Sequence, residues 1–310
     1  MISKIANFRA WMNRVSADLN RLKHLEVNSH QNKMLSAQAI SRMNSQQTEL
    51  ILENLNLAEF QVFSQWGDDG LIDFLVNYLE LEDQRFVEFG VENYTEANTR
   101  YLLMNKNWSG LIMDGSPENI ADIKNSMLYV RHDLTAESHF ITAENINQLL
   151  VDYGFDGKIG LLHIDIDGND YWIWKAINVT NPIIVILEYN AVFGTDKSWV
   201  VPYNPQFMRT KMHYSNLYWG SSLRAQCELA ESKGYSFIGC NNNGNNAYFV
   251  QNAHLQNLKV QSVESGFKNS KFRESRDASG QLNFISGSNR IEEIRGLEVL
   301  NMHTNQIEKI

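Results

Sequence analysis

Apolar residues near the start of the chain fall at Ile5, Phe8, Met12, Val15, Leu19 and Leu22. The alternating steps of three and four place them on one face of a helix, and that spacing is the seam of a coiled coil. Residues 1 to 58 contain neither Gly nor Pro. A second helix with a weaker stripe is expected over about 32 to 55. Two packings fit this extension: against the body of its own subunit, or against the same helix of a second copy. A membrane-surface helix fits less well, because the polar face mixes both charge signs.

From Phe60 onward the pattern becomes an alternation of helices and short apolar strands. A helix is expected over 70 to 80, with Leu71, Phe74, Leu75 and Tyr78 on one face. Strands are expected at Arg85–Gly90, Gly110–Asp114, Met127–Arg131, Ile159–Ile166 and Ile183–Glu188. Helices are expected at about 96 to 106, after Pro117, and at about 143 to 153, 169 to 177 and 221 to 233. The chain then reads as a hairpin, Tyr235–Cys240 and Asn246–Val250, joined by a polar Asn-rich turn. Short strands alternating with helices imply an α/β fold with a mostly parallel sheet, here closed by an antiparallel hairpin. A short strand is also expected at Leu282–Ile285, after a polar loop carrying Arg273 and Arg276.

Composition narrows the classes. The chain has 310 residues, 43% hydrophobic and 20% charged, with a net charge of −9. A broad basic face for nucleic acid is not expected. Cys227 and Cys240 form neither a metal pair nor a disulfide framework, which fits a reducing compartment. Lys4, Arg9, Arg14, Asp18 and Arg21 interrupt any signal-like apolar run, and no stretch reaches a membrane span. A cytoplasmic location is the expectation.

Ligands of open parallel sheets sit beyond the carboxyl ends of the strands, so the chemistry is read there. Those positions hold Glu88 and Gly90, Asp114, His132 and Asp133, Asp165 and Asp167, and Glu188 and Asn190. No G-x-G-x-x-G loop follows Gly90, so a pyrophosphate cofactor is disfavoured. Asp114 is placed to accept both hydrogen bonds of a ribose diol, and Asp133 is a candidate adenine contact. Asp165 and Asp167, with Glu188 on the neighbouring strand, are a candidate site for Mg²⁺ or Mn²⁺. Asp170 reads as a helix cap, and His163 as a core histidine or one behind the site.

The blocks FVEFGVENYTEANTRYLLMNKNWSGLIMDGSPENI, LLHIDIDGNDYWIW, ILEYNAVFG and YSFIGCNNNGNNAYFV together resemble an FkbM-like branch of the S-adenosylmethionine (SAM) dependent methyltransferases, over roughly residues 60 to 250. The resemblance implies a class I, Rossmann-like methyltransferase domain over 59 to 310, behind the helical extension of 1 to 58. It implies SAM as cofactor and O-methylation of a sugar hydroxyl in surface polysaccharide or glycan synthesis, the acceptor being free, nucleotide-linked or polymeric. It places Glu88, Gly90, Asp114 and Ser116 along the SAM site, with Gln65 and Asp69 of the FSQWGDDG block near the methionine end. The region is also similar to metal-dependent sugar O-methyltransferases, although Glu188-Tyr-Asn190 replaces their paired aspartates.

On this reading Asp167, His213 and Asp165 are the candidate catalytic groups. Tyr203, Arg209, His213 and Trp219 are candidate acceptor contacts. A homo-oligomer formed through the N-terminal helices is expected. Two other readings stay open: a glycosyltransferase using Asp165-x-Asp167 as a metal motif, and a non-catalytic scaffold on a SAM-binding fold.

Overall fold

The computed structural model describes the backbone of residues 2–310, and the side chains of these except residues 2–10, 20, 23, 24 and 26. Helix α1, Ile2–Gln46, runs unbroken for 45 residues, about 67 Å at 1.5 Å per residue. The expected second helix is therefore the end of the first, since no Gly or Pro interrupts it, and only the short α2 (Thr48–Glu53) follows. The C-terminal part of α1 is anchored. Ala37 is buried, Ser41 Oγ donates to Asp73 at 2.5 Å, and Asn44 Nδ2 donates to the Ala58 carbonyl at 3.2 Å. Farther back, Trp11, Met12, Leu19, Leu22 and Leu25 are exposed. Ile5 and Phe8 of the expected seam lie outside the described side chains.

The body begins with α3 (Asp68–Tyr78), β1 (Arg85–Phe89), α4 (Arg100–Lys106), β2 (Ser109–Asp114), α5 (Pro117–Lys124), α6 (Met127–Arg131) and β3 (Leu134–Ser138). It continues with α7 (Ile146–Asp152), β4 (Gly157–Ile164), α8 (Asp170–Ala176), β5 (Thr180–Glu188), β6 (Trp199–Val200) and α9 (Arg209–Met212). Then come α10 (Leu223–Ser232), β7 (Tyr235–Cys240), β8 (Asn246–Gln251), α11 (Val263–Gly266), α12 (Asn289–Glu293), β9 (Glu298–Asn301) and β10 (Gln306–Lys309). The main sheet has seven strands in the order β3-β2-β1-β4-β5-β8-β7. The first five are parallel, while β8 runs antiparallel to both β5 and β7. This is the class I methyltransferase layout that the strand–helix alternation predicts.

The period-two pattern of each strand feeds two cores. Phe86, Ile112, Leu161 and Ile184 pack on one face with α3, α4 and α5. Val87, Leu111, Leu162 and Val185 pack on the other with α7, α8 and α10. A second sheet, β10-β9-β6, covers the loop after β5 through Phe207, Leu217, Trp219 and Val299.

Two expectations fail. Met127–Arg131 is a helix, because the Ser126 hydroxyl accepts the Tyr129 amide and starts a turn whose Met127 and Val130 stay exposed. The third strand is instead Leu134–Ser138. No strand forms at Leu282–Ile285, where a single bridge links Arg276 to Leu282.

Candidate active site

The sheet order reverses between β1 and β4, and there a cavity of about 700 Å³ opens at the carboxyl edge. Its wall takes Glu88 and Gly90 from the end of β1, Asp114 from β2, His139 from just after β3, His163 and Asp165 from β4, and Glu188 from β5. Asn245 and Asn246 join them, because β8 is antiparallel and begins at this edge. Gly90 has φ +76°, and a Cβ there would lie 1.6 Å from the Asp165 carbonyl oxygen. Only glycine lets the two strand ends meet.

Glu88 is fully engaged. Its oxygens accept the Asn98 amide (2.9 Å), the Thr99 amide (3.0 Å), the Thr99 hydroxyl (2.5 Å) and His163 Nδ1 (2.9 Å). The β1–β4 register sets Glu88 directly beside His163. Burial alone would raise the Glu88 carboxyl, but the His163 and Thr99 bonds outweigh it and hold it below the usual range. The imidazole, which burial would lower, is raised by the same carboxylate. Glu88 thus fastens the loop at 90–99 that forms one wall. Asp114 does similar work while half-exposed. Oδ2 accepts the Glu92 amide at 2.9 Å, and Oδ1 accepts the Ser116 amide at 2.8 Å.

The other end is unlike this. Glu188 is 6% exposed, and its Oε2 is buried without a hydrogen-bond partner. Burial, then the charge of Asp165, raises its carboxyl well above the ordinary value. Burial and Asp167 push Asp165 up to about 7. Asp167 itself is exposed and pairs with Arg209 Nη1 at 2.8 Å. Arg209 lies over the Trp219 ring at 4.6 Å and donates from Nε to the Asn216 carbonyl at 2.9 Å. Its Nη2 is buried without a partner.

Several expected site residues lie elsewhere. Asp133 precedes β3 at the opposite edge of the sheet, where its carbonyl accepts the Gly110 amide. Its placement failed with the third strand, and His132 goes with it. The true end of β3 brings His139, Phe140 and Ile141 to the cavity. Asp69 is behind the wall, accepting the Val62, Phe63 and Ser64 amides at 2.7–2.8 Å. Its neighbour Asp68 lines the cavity instead and accepts from Asn241, Asn246 and Tyr248. Gln65 lines the cavity as expected. Ser116 caps α5 through the Asn119 amide and stays off the wall. Tyr203 is tied to Glu144 and the Ala143 amide, outside the cavity. His213 also lies outside it; its Nδ1 faces Ser215 Oγ at 2.7 Å, and burial lowers its pKa. Trp219 is buried beneath Arg209 rather than facing a ligand. Asp170 accepts the Ile166 and Gly168 amides, so it closes its own turn. Phe207, Met208, Phe272 and Glu274, none of them anticipated, complete the wall beside Arg209. The buried asparagines of the β7–β8 turn were a visible signal, since a solvated turn gains little from so many.

No protein-family model and no curated protein matches the sequence. Among solved structures, an O-methyltransferase from Bacillus cereus in complex with SAH aligns at 11% identity and TM-score 0.39, over 71% of this chain and 91% of that one. A SAM-dependent methyltransferase from Clostridium acetobutylicum aligns at 11% identity and TM-score 0.39, over 67% and 99%. The N-terminal domain of EvdMO1 with SAH bound gives 11% identity and TM-score 0.39, over 67% and 94%. Likenesses this distant carry no argument about the chemistry here, which rests on the chain's own residues.

Proposed function

We propose that the chain is a SAM-dependent O-methyltransferase whose acceptor is a sugar hydroxyl, with a divalent cation assisting at the acceptor end. The observation that carries this is Asp114. It is a half-exposed carboxylate at the end of β2, held by backbone amides and facing the cavity beside Gly90. That is the geometry for gripping a ribose diol where no phosphate-binding glycine loop is present. Gln65 and Asp68 would flank the methionine end, and His139 and Phe140 the adenine.

The acceptor side combines the aromatic faces of Phe207 and Phe272 with the polar groups of Asn169 and Arg209. Flat apolar faces edged with hydrogen-bonding groups suit a pyranose ring. The hydroxyl oxygen attacks the methyl carbon, the C–S bond breaks, and its electron pair stays on sulfur. The hydroxyl proton passes to Asp165, whose pKa of about 7 suits a general base near neutrality. Asp167, already paired with Arg209, and His213, outside the wall, are poorer bases.

Calorimetry and thermal melts test the reading. SAM should bind and raise the melting temperature, whereas UDP-glucose should do neither. The reverse result would favour the glycosyltransferase reading. Transfer of labelled methyl from SAM to nucleotide sugars and oligosaccharides tests the acceptor class. Among the described residues no helix is long and apolar enough to cross a membrane. The exposed apolar residues of α1 support pairing with a second copy. Light scattering of the full chain against a chain lacking residues 1–30 should show a dimer becoming a monomer.

A further inference from the structure

Asp165, Asp167 and Glu188 each present one carboxylate oxygen, and these oxygens lie within 4.8 Å of one another. Such a cluster is common on protein surfaces without a ligand. Here a second observation sets it apart. Glu188 is 6% exposed, lines the cavity, and has a buried Oε2 that no donor reaches. A buried carboxylate oxygen without a partner is costly, so one that persists beside two other acids points to a missing positive group.

The protein supplies one such group. Arg209 is the only Lys or Arg on the cavity wall among the described residues. Its Nη1 and Nε are taken by Asp167 and the Asn216 carbonyl, it lies over the Trp219 ring, and its buried Nη2 makes no hydrogen bond to Glu188. Once ionised, the three carboxylates would exceed the one guanidinium by two charges, which is the charge of one divalent ion. Asp170 does not join, since both its oxygens accept backbone amides. His163 does not join either, because Glu88 and Asn98 occupy its two ring nitrogens.

We infer that Asp165, Asp167 and Glu188 bind one divalent cation, Mg²⁺ or Mn²⁺. The donors are all carboxylate oxygen, with no thiolate or free imidazole among them, which selects hard ions over Zn²⁺. Glu188 and Asp165 close the inner side, and Asp167, with a side chain 63% exposed, closes the outer side. The ion's remaining positions open to the cavity, where water or an acceptor hydroxyl completes the shell. Only the ion's catalytic role rests on the methyltransferase reading; its binding does not.

The test is Mn²⁺ binding to the full chain, followed by electron paramagnetic resonance and by the melting temperature. Wild type should bind one ion and melt higher with it. Glu188→Gln and Asp165→Asn should each weaken binding at least tenfold and lose the thermal shift, while Glu96→Gln, at an acid of the cavity wall outside the cluster, should behave as wild type. Asp167→Asn changes an exposed side chain and keeps the test sound if a buried variant misfolds; it too should weaken binding. No ion on the wild type, or equal affinity in Glu188→Gln, overturns the site. SAM calorimetry on the same samples separates the two ideas. A protein that binds Mn²⁺ but not SAM removes the methyltransferase and leaves the ion site standing.

Discussion

Two pairs of acids end neighbouring strands of one sheet, and the protein treats them oppositely. Glu88 and Asp114 are surrounded by donors from the loops that follow them, so each is satisfied before any ligand arrives. Asp165 and Glu188 face the same cavity with burial raising both, helped at Asp165 by the charge of Asp167 and at Glu188 by that of Asp165. The first pair builds the pocket. The second pair has no such set of donors, and Glu188 Oε2 has no partner at all. A carboxylate at a strand end is therefore not one kind of feature; the backbone amides within reach decide which it becomes.

The sharpest way to break this contrast is to remove one acid from each pair. Glu88→Ala strips the partner from two amides, one hydroxyl and His163 in a buried site. It should cost about 3–5 kcal/mol in urea unfolding, the scale of breaking a buried charged network. Glu188→Gln removes a buried acid whose Oε2 has no partner. In metal-free protein it should be neutral or stabilise by about 1–4 kcal/mol. Equal losses in the two variants would erase the distinction.

The pH profile of metal-free stability is the next test. Burial, above every other cause, raises Asp69 and Asp170 to about 6 and Asp165 to about 7, from 3.8. Between those limits the folded protein holds more protons than the unfolded chain, so stability falls as pH rises. His163 has the same sign, because its raised pKa gives stability that is lost as pH climbs through it. Glu88, held low, has the opposite sign: its stabilisation is present above the ordinary carboxylate range and fades as pH falls through it. From pH 4.5 to 7.5 Asp165 should lower the unfolding free energy by roughly 3 kcal/mol, and Asp69 and Asp170 by roughly 2 kcal/mol each. Asp165→Asn should flatten the upper part. A profile that rises over this range would show that these acids are not held protonated.

The strands were readable because each alternates toward two cores, as Phe86 and Val87 do on β1. Strand-end acids followed directly, which is why Glu88, Asp114, Asp165, Asp167 and Glu188 all reach the cavity. Met127–Arg131 misled because its apolar residues look strand-like, while the deciding element is a hydroxyl cap one residue earlier. That slip carried Asp133 to the wrong edge and hid His139. Tyr203, Trp219 and His213 were unreadable for another reason. Their neighbours come from β9, α12 and distant loops, and no local periodicity reports such long-range packing.

The mildest tests concern two residues at the end of β2 that the sequence treated alike. Asp114 faces the cavity, and Asp114→Ala should weaken SAM binding by about 1.5–3 kcal/mol, the value of a lost charged hydrogen bond. Unchanged affinity in a folded variant would remove the ribose contact, and with it the observation on which the methyltransferase reading leans most. Ser116 is two residues on, with its hydroxyl accepting the Asn119 amide at the start of α5. Ser116→Ala should cost about 0.5–2 kcal/mol of stability, as lost helix caps do, and leave SAM affinity within about twofold. The cap and the ligand contact are coupled through the Ser116 amide and the Asn119 side chain, both of which donate to Asp114 Oδ1 and survive the substitution. A large loss of SAM affinity in Ser116→Ala at unchanged stability would mean that the hydroxyl turns toward the ligand when it binds. The satisfied half of the cavity would then be less finished than its hydrogen bonds imply.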